Sequence, residues 1–368
     1  MTLQSHYSTI VVGAGPAGVM ASVYASAYGD VLLVDAMAMP RMKSCGGMLN
    51  EYAQDFLTQV QGIPRDIICD PEWINFRFCD WDREIKKAST LRFANVDRVK
   101  FDDWLMSMLP SNVTVLPQTK FKGLTQTDKQ VTVELEDLTN PDAEKILVEA
   151  DFLIGCDGPR STVRRCLPVT QLSLYKTLQE FLPIGPEAEP FFDCIYSRHI
   201  GKNYGYGYLI PKNDAVIIGS VFYPGSKHCN EEHERALDVF RTRYHYGYEQ
   251  LRPREAWTAV KVNSVKDIVG GVGRVLLAGE ANAIMSPSSG EGISFALNSG
   301  KLVGLAVATQ GKHGDAQMVL DAYNASLAPI KKCIGRKLKY YPVINSRFGK
   351  WIGGNSPMAL VNAVAHRI

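Results

Sequence analysis

The chain has 368 residues, of which 46% are hydrophobic and 21% are charged, and it carries 40 basic against 38 acidic side chains. This composition is that of a globular protein and excludes a disordered, collagen-like or coiled-coil chain. The near balance of charge gives no reason to expect a nucleic-acid partner. The length allows two domains, or one large domain with an insertion.

The 8 cysteines form no C-x-x-C pair, so neither a zinc site nor a dithiol redox site is predicted, and reduced thiols fit a cytoplasmic protein. The segment His228-Cys229-x-x-x-His233 has metal-ligand residue types, but it stands alone, and we expect it to be polar surface. The first residues lack the features of a signal peptide. No apolar run approaches the roughly 20 residues that cross a bilayer, so we expect no membrane span.

The chain opens with a pattern typical of a βαβ unit. An apolar strand from Ser8 leads into a glycine turn and an alanine-rich helix, and a second apolar strand follows at Val31–Val34. The glycines have G-x-G-x-x-G spacing, in which the second lets the backbone approach a pyrophosphate: Gly13, Gly15 and Gly18. Asp35 ends the second strand and is expected to bind ribose hydroxyls. The pattern predicts a dinucleotide site without distinguishing NAD from FAD.

The rest of the chain divides by its changing periodicity. Short strands are predicted at Val113–Leu116, Val131–Leu135 and Ile146–Val148, and a buried strand at Asp151–Ile154 leads into a tight turn. An aromatic-rich region follows, with alternating strands predicted at Phe191–Tyr196, Tyr204–Leu209 and Ala215–Phe222 and one polar helix at about Glu231–Tyr244. After it come a buried strand near Val275 and a helix at Ile293–Thr309. We therefore expect a first domain over 1–170 and 263–325, an inserted sheet domain over 171–262, and a helical segment over 326–368. The basic and aromatic stripe of that last segment packs on the domain or contacts a membrane surface or a partner.

Three motifs in one order narrow the class. The glycine loop is followed by Gly155-Cys-Asp157-Gly158 and then by Leu277-Ala-Gly279-Glu280, which leads to Gly290-x-Gly292. This order resembles the flavoprotein superfamily of aromatic hydroxylases, geranylgeranyl reductases and flavin halogenases. The resemblance covers essentially the whole chain. It implies an α/β fold: a Rossmann-like FAD-binding domain of the aromatic hydroxylase (PHBH) type, an inserted antiparallel β-sheet substrate domain and C-terminal helices.

The resemblance also implies roles for the later motif residues. Asp157 and Gly158 would lie near the FAD pyrophosphate, and Gly279 and Glu280 near the ribityl chain. The helix that starts after Gly290 and Gly292 would point its N-terminus at the isoalloxazine. The family usually has aspartate where this chain has Glu280, and a longer carboxylate can still accept a ribityl hydrogen bond.

Finer features are similar to the geranylgeranyl reductase branch and its bacterial CbrA-like group. The segment Arg41-Met-Lys-Ser-Cys45-Gly46-Gly47 resembles a Pro-Cys-Gly-Gly motif, and Arg98-x-x-Phe-Asp resembles an R-x-x-F-D helix. By position, Cys45, Gly46 and Gly47 would face the flavin ring and Arg98 would lie by the cofactor. Cys45 is either a reactive thiol or a small residue in a tight turn.

An aromatic motif in the inserted region, Tyr206-Gly-Tyr208-Leu-Ile-Pro211, stands where reductases have Tyr-x-Trp-x-Phe-Pro and halogenases have Trp-x-Trp-x-Ile-Pro. Tyr208 therefore replaces a tryptophan and adds a hydroxyl to an aromatic wall. Tyr206 and Tyr208 either line a substrate cavity or belong to the sheet core. Together with Cys45 they are the candidate catalytic residues.

The function implied is an FAD-dependent oxidoreductase that is similar to geranylgeranyl reductases and acts on a bulky apolar or aromatic substrate, with no metal. A single dinucleotide motif means that NAD(P)H docks transiently or that a separate flavin reductase supplies the electrons. A second hypothesis is a monooxygenase that hydroxylates an aromatic compound or a tryptophan side chain of a partner protein during maturation of a quinone cofactor. A third is a flavin-binding accessory protein without turnover.

Overall fold

The computed structural model describes residues 3–140, 142–185, 188–201, 204–244 and 249–345. The strands are β1 His6–Val12, β2 Val31–Val34, β3 Met48–Leu49, β4 Ile68–Asp80, β5 Ile85–Val96, β6 Val113–Leu116, β7 Thr119–Gln126, β8 Val131–Asp137, β9 Ile146–Gly155, β10 Ser173–Pro183, β11 Phe191–Tyr196, β12 Tyr204–Lys212, β13 Ala215–Phe222, β14 Glu255–Lys261, β15 Gly271–Val272 and β16 Val275–Leu277. The helices are α1 Pro16–Ala25, α2 Glu51–Val60, α3 Arg98–Met106, α4 Thr162–Arg165, α5 Cys229–Tyr244, α6 Ile293–Gln310, α7 Ala316–Ser326 and α8 Ala328–Asn345.

The chain forms two compact units. Unit 1 contains the chain up to Met42, Val99–Leu172 and Val260–Leu338, and unit 2 contains Lys43–Arg98 and Ser173–Ala259 with the end of α8. The sequence-based division put residues 43–98 in the first domain, whereas they group with the inserted sheet in the structure. The predicted helical segment from 326 begins with α7 and α8, and its part from 346 onwards lies outside the described residues.

Unit 1 is built on a mainly parallel sheet in the order β15-β16-β9-β1-β2-β6, with β8 on β9 and β7 on β8. Its central strands are apolar runs without alternation, and every residue of β2 is buried. Such runs are typical of parallel strands covered on both faces. Two glycines of α6, Gly300 and Gly304, lie directly against the backbone of α1, so the two helices pack closely. This is the expected Rossmann-like fold.

Unit 2 contains a second sheet in the order β14-β10-β13-β12-β11-β4-β5-β3. It is largely antiparallel, as expected, but β11 pairs with β4 in parallel. Its two faces differ. On the back face, α5 packs Leu237 and Phe240 against Leu209 and Ile218 of the sheet. The opposite side, here called the front face, carries an apolar cluster formed around Ile74, Ile210 and Ile217.

Candidate functional site

The glycine loop of unit 1 needs its first and third glycines for packing. Gly13 has φ +101°, and a Cβ there would overlap the carbonyl group of Cys156. A Cβ on Gly18 would overlap the carbonyl oxygen of Gly13. The loop therefore holds β1, the end of β9 and α1 in close contact, which brings the first and middle sequence motifs together.

Gly15 has a different role, because its backbone is extended, with φ −77° and ψ −178°. Gly15 precedes Pro16, the first residue of α1. No side chain caps the N-terminus of α1, and the first turn of this helix contains no acidic residue. Proline at the first helical position lacks an N–H in any case, but the next N–H groups have no partner within the helix. Such an uncapped N-terminus carries partial positive charge and is suited to bind a phosphate.

Arg41 lies beside this helix terminus. Its Nη1 atom is 3.0 Å from the position that a Cβ of Gly15 would take. The guanidinium is buried and ion-paired with two carboxylates, Asp35 at 3.2 Å and Asp102 at 3.2 Å. The Arg41 Nη1 atom donates a hydrogen bond to Asp102, whereas its Nε atom is attracted by the charge of Asp35 without a hydrogen bond. The two carboxylates thus hold a cation next to the open N–H groups of α1. The sequence analysis assigned no role to Arg41 or to Asp102.

Asp35 already makes several interactions besides the one with Arg41. One carboxylate oxygen accepts the Ala14 N–H at 2.7 Å and the other accepts the Met37 N–H at 2.8 Å. The carboxylate thus orders both the glycine loop and the turn after β2. Its expected bond to ribose hydroxyls stays a prediction.

The middle motif forms a second helix start. The Asp157 carboxylate accepts hydrogen bonds from the Ser161 hydroxyl at 2.5 Å and from the Thr162 N–H at 2.6 Å, and it thereby caps α4. Burial raises the pKa of this carboxyl group. Gly158 has φ +76°, which explains a glycine in the turn. A cofactor contact of Asp157 or Gly158 stays a prediction.

The late motif lies next to the first one in unit 1. A Cβ on Gly279 would be 3.0 Å from the Cβ of Ala17 in α1, and Gly279 has φ +58°. Glu280 accepts the Val260 N–H with one carboxylate oxygen at 3.0 Å. Its expected ribityl contact stays a prediction.

The loop before α6 contains a left-handed turn at a glycine. Gly290 has φ +67°, and Gly292 precedes the first residue of the helix. Glu291 accepts the Ser294 N–H at 2.8 Å and the Ser294 hydroxyl at 2.9 Å, and burial raises the pKa of its carboxyl group. A side chain thus accepts a backbone N–H at the start of α6, whereas no side chain caps the start of α1.

In unit 2 the Cys45-Gly46-Gly47 turn fits between two strands of the sheet. A Cβ on Gly46 would be 2.6 Å from Cδ1 of Ile210, and one on Gly47 would overlap the carbonyl oxygen of Val96. Gly47 also has φ +63°. Gly47 is therefore required both by its φ and by the backbone of β5, whereas Gly46 faces the movable end of Ile210 on β12.

The environment of Cys45 favours the thiolate. Burial alone would raise the pKa of the thiol, but the positive charge of Arg98 and the Gly47 N–H lower it below its usual value. The Gly47 N–H points at the Cys45 sulfur, with the N and S atoms 3.4 Å apart. The structure therefore brings Cys45, Gly47 and Arg98 together within unit 2, and whether Cys45 is a reactive thiol or a small residue of the turn stays a prediction.

The two candidate tyrosines lie on β12. Tyr208 is on the front face, where Phe192 meets its ring edge-on, with ring centroids 6.4 Å apart. The Phe192 ring also contacts Phe93 at 6.1 Å. The Tyr206 ring lies 6.3 Å from that of Tyr196. Half-buried aromatic rings thus cover much of the front face. That Tyr206 and Tyr208 line a substrate cavity stays a prediction.

An uncapped N-terminus with glycine at the approach and a fixed guanidinium beside it fit the pyrophosphate of a dinucleotide. Residues 6–336 match the family model of an FAD binding domain. The chain belongs to this family. It is an FAD-dependent oxidoreductase, which confirms the expected cofactor and class of enzyme.

Relatives of this flavoprotein support the same placement. It is 25% identical to protein CbrA of Escherichia coli O9:H4 over 354 residues, which cover 94% of this chain and 93% of CbrA. A geranylgeranyl bacteriochlorophyll reductase-like protein of Thermoplasma acidophilum superposes with a TM-score of 0.78 at 19% identity, covering 98% and 91% of the two chains. The p-nitrophenol 4-monooxygenase of Pseudomonas putida superposes with a TM-score of 0.70 at 16% identity, covering 99% and 98%. The two structures share the fold, which confirms the predicted fold class.

Two other sequence expectations have structural outcomes in the described part of this flavoprotein. No helix there is long and apolar enough to cross a membrane. The expectation that His233 is polar surface is wrong. Its side chain lies on the buried face of α5, where Nδ1 is 2.8 Å from the Ser220 hydroxyl, whereas His228, just before the helix, is exposed and pairs with Glu231. Burial of one face of α5 explains the difference.

Lys212, at the end of β12, is a functional-site residue that the sequence analysis missed. Its buried ammonium donates to the Asn95 side-chain oxygen at 2.5 Å and to the Val96 carbonyl at 2.6 Å. Val96 in turn donates its N–H to the Gly47 carbonyl. Burial lowers the pKa of Lys212 to about 8. Lys212 thus supports the strand on which the Cys-Gly-Gly turn rests.

We expect Lys212 to make stability depend on pH in the alkaline range. An unfolded lysine has a pKa of about 10.4, so between about 8 and 10.4 the unfolded state binds more protons than the folded state. The free energy of unfolding should therefore rise with pH in that window, by roughly 3 kcal/mol in total from this group. Urea unfolding of the wild type and of Lys212→Met at pH 7.5 and 10 measures the difference. An equal change with pH in both proteins would contradict the assignment.

Proposed function

We propose that this flavoprotein uses reduced FAD to act on a bulky apolar or aromatic substrate that lies on the front face of unit 2. The observation that carries the proposal is the composition of that face. Around the buried Ile74, Ile210 and Ile217 it presents half-buried aromatic and aliphatic side chains, namely Met48, Phe181, Phe192 and Tyr208. Burying such a surface under a ligand is favourable in proportion to the apolar area removed from water.

The leading candidate reaction is reduction of a carbon–carbon double bond of such a substrate, as in the geranylgeranyl reductases. When bound, FAD supplies the hydride for such a reaction, or activates oxygen in a monooxygenase. The chain's own residues would bind the cofactor at the uncapped start of α1 with Arg41, and would exclude water from the front face. Cys45, whose thiol pKa is lowered by Arg98 despite its burial, would lie in that unit as a thiol more acidic than an ordinary cysteine. We propose NAD(P)H or a separate flavin reductase as the electron donor.

A monooxygenase is the second candidate, and one observation favours it. Tyr208 replaces the tryptophan of the reductase motif, so the front face gains a hydroxyl that suits aromatic substrates with polar groups. The fold likeness to a p-nitrophenol monooxygenase is compatible with this reaction. Such a substrate could be free or carried on a partner protein.

One experiment separates the two reactions. The FAD-loaded protein is reduced with dithionite without oxygen and is then mixed with unsaturated isoprenoid lipids or with substituted phenols. Anaerobic reoxidation with a product heavier by two hydrogen atoms supports the reductase. Reoxidation that requires oxygen, with a product heavier by one oxygen atom, supports the monooxygenase. A protein that retains FAD but is not reoxidised faster by any compound in either condition contradicts both and favours an accessory role.

Tyr208→Ala is expected to leave FAD binding unchanged and to impair turnover. The substitution removes a large aromatic contact from the front face, which costs roughly 3 kcal/mol of binding energy or more. The value of kcat/KM should therefore fall by about 100-fold. FAD content by absorbance and kcat/KM for the active compound check the prediction. Unchanged kinetics would mean that Tyr208 belongs only to the sheet core.

A further inference from the structure

A row of hydrogen-bonded polar side chains, here called the polar row, crosses the apolar front face of unit 2 and consists of Tyr208, Gln179 and Glu255. Tyr208 on β12 pairs in register with Gly219 on β13, and Gly219 pairs with Gln179 on β10. Residues paired in this way point their side chains to the same face of the sheet. The Tyr208 hydroxyl donates to the Gln179 side-chain oxygen at 2.9 Å, so the tyrosine reaches across the intervening strand.

Gly219 makes this reach possible. A Cβ at that position would overlap the ring of Tyr208. The ring lies flat on the backbone of β13, and its hydroxyl therefore has a defined position over the sheet. A glycine in a central strand weakens the strand, and the close approach of an aromatic ring is the reason for it here.

The far end of the row fixes the direction of the hydrogen bond. The Gln179 side-chain nitrogen donates to Glu255 at 3.2 Å, and Glu255 pairs with Arg252 at 3.1 Å. A carboxylate only accepts, so the amide nitrogen of Gln179 must face Glu255 and its oxygen must face Tyr208. Tyr208 is then the donor in its bond to Gln179. Burial raises the pKa of Tyr208, which keeps the hydroxyl protonated.

The hydroxyl oxygen of Tyr208 therefore has unused acceptor capacity. A phenol oxygen donates one hydrogen and accepts as well, and the one hydrogen is committed to Gln179. Within the described part of the chain no donor reaches this oxygen. Its neighbours on the face are Phe192 and Ile210, which cannot donate. An acceptor left without a partner when a ligand covers it costs binding energy.

We propose that the Tyr208 oxygen accepts a hydrogen bond from the substrate, which is therefore an aromatic compound with an O–H or N–H group rather than a pure hydrocarbon chain. The inference rests on the proposed function, in which the front face binds the substrate. Gln179 and Gly219 are positioning residues: Gln179 takes the hydroxyl hydrogen, and Gly219 gives the ring its place. On this proposal, the tyrosine that stands in place of the family's tryptophan changes the class of substrate that can bind, because an indole N–H donates a hydrogen bond and cannot accept one.

The test compares two probes with the same ring system, 4-phenylphenol and 4-methoxybiphenyl, of which only the first donates a hydrogen bond. Binding to the FAD-loaded full chain is measured by equilibrium dialysis. The wild type should bind the phenol about 5- to 10-fold more tightly, the effect of one hydrogen bond to a neutral acceptor. Tyr208→Phe should abolish this preference and keep the affinity for the ether within about twofold. Tyr52→Phe, which removes the hydroxyl of an exposed tyrosine on α2, should change nothing.

A second variant tests the role of Gln179. In Gln179→Met the Tyr208 hydroxyl is free to donate a hydrogen bond to the oxygen of 4-methoxybiphenyl. The ether should therefore bind more tightly than to the wild type, and the preference for 4-phenylphenol over the ether should become smaller. Equal binding of both probes to the wild type, a preference that survives in Tyr208→Phe, or no binding of the phenol would each overturn the inference. FAD content is measured on the same samples. Loss of FAD from the wild type would count against the proposed function, whereas full FAD content without a probe preference would count against this inference alone.

Discussion

Gly15→Glu is expected to abolish FAD binding while unit 1 stays folded. The extended backbone at Gly15 accepts any side chain, and the nearest atom to a new Cβ is the movable end of Arg41 at 3.0 Å. A carboxylate there would occupy the N-terminus of α1 and pair with Arg41, in the place of a phosphate. Loss of two charge-assisted hydrogen bonds, each worth about 1.5–3 kcal/mol, should raise the Kd for FAD by roughly 100-fold or more.

The measurement is FAD titration of apoprotein, with circular dichroism to verify the fold. Gly15→Gln has nearly the same volume without the charge, and should weaken binding less than Gly15→Glu. Gly15→Ala adds one methyl group and should have the smallest effect. Tight FAD binding by the glutamate variant, with an unaltered flavin spectrum, would show that the cofactor does not use this loop.

The elements that could be predicted from the sequence have local signals. The pattern from Ser8 to Asp35 gives β1, α1 and β2 because the glycine spacing and the apolar runs are contained within one supersecondary unit. Strands β11 and β13 have the predicted bounds, Phe191–Tyr196 and Ala215–Phe222, because each is a run of apolar and aromatic residues between turns.

The membership of residues 43–98 in unit 2 could not be predicted in this way. Strands β4 and β5 pair with each other, a local event, but β4 joins its sheet through β11, with Asn75 opposite Phe191. No feature of the β4 sequence indicates which distant strand β4 pairs with. The sequence motifs at Cys45 and Arg98 were therefore found, but their assignment to the sheet unit required the long-range pairing.

The network around Arg41 shows the same limit at the scale of single residues. A role for Arg41 depends on Asp35 after β2 and on Asp102 in α3 lying on either side of it. Each acid lies in a segment that the sequence analysis quoted, yet only the fold joins them. One usable signal was present: Asp102 belongs to the segment that resembles the R-x-x-F-D motif, and a carboxylate needs a cation or hydrogen bonds when it is buried.

Arg41→Met is expected to destabilise unit 1 even without cofactor. Asp35 and Asp102 are 7% and 2% exposed, and both would lose the ion pair with Arg41. Removing one partner of a buried ion pair leaves an uncompensated charge and typically costs 3–5 kcal/mol, so the free energy of unfolding should fall by about that amount. Urea unfolding of the apoprotein measures this fall separately from any contribution of bound FAD.

Neutralising one of the two carboxylates shows whether Arg41→Met lowers stability through buried charge or through lost packing. If charge is the cause, the double variant Arg41→Met with Asp102→Asn should be more stable than Arg41→Met alone, with a coupling of about 1–3 kcal/mol between the two positions. Asp102→Asn alone leaves Asp35 paired with Arg41 and should cost less than Arg41→Met. Additive effects of the two substitutions would mean that the carboxylates do not hold the guanidinium. Its place beside Gly15 would then depend on packing, and Arg41→Met would affect FAD binding without the large loss of stability.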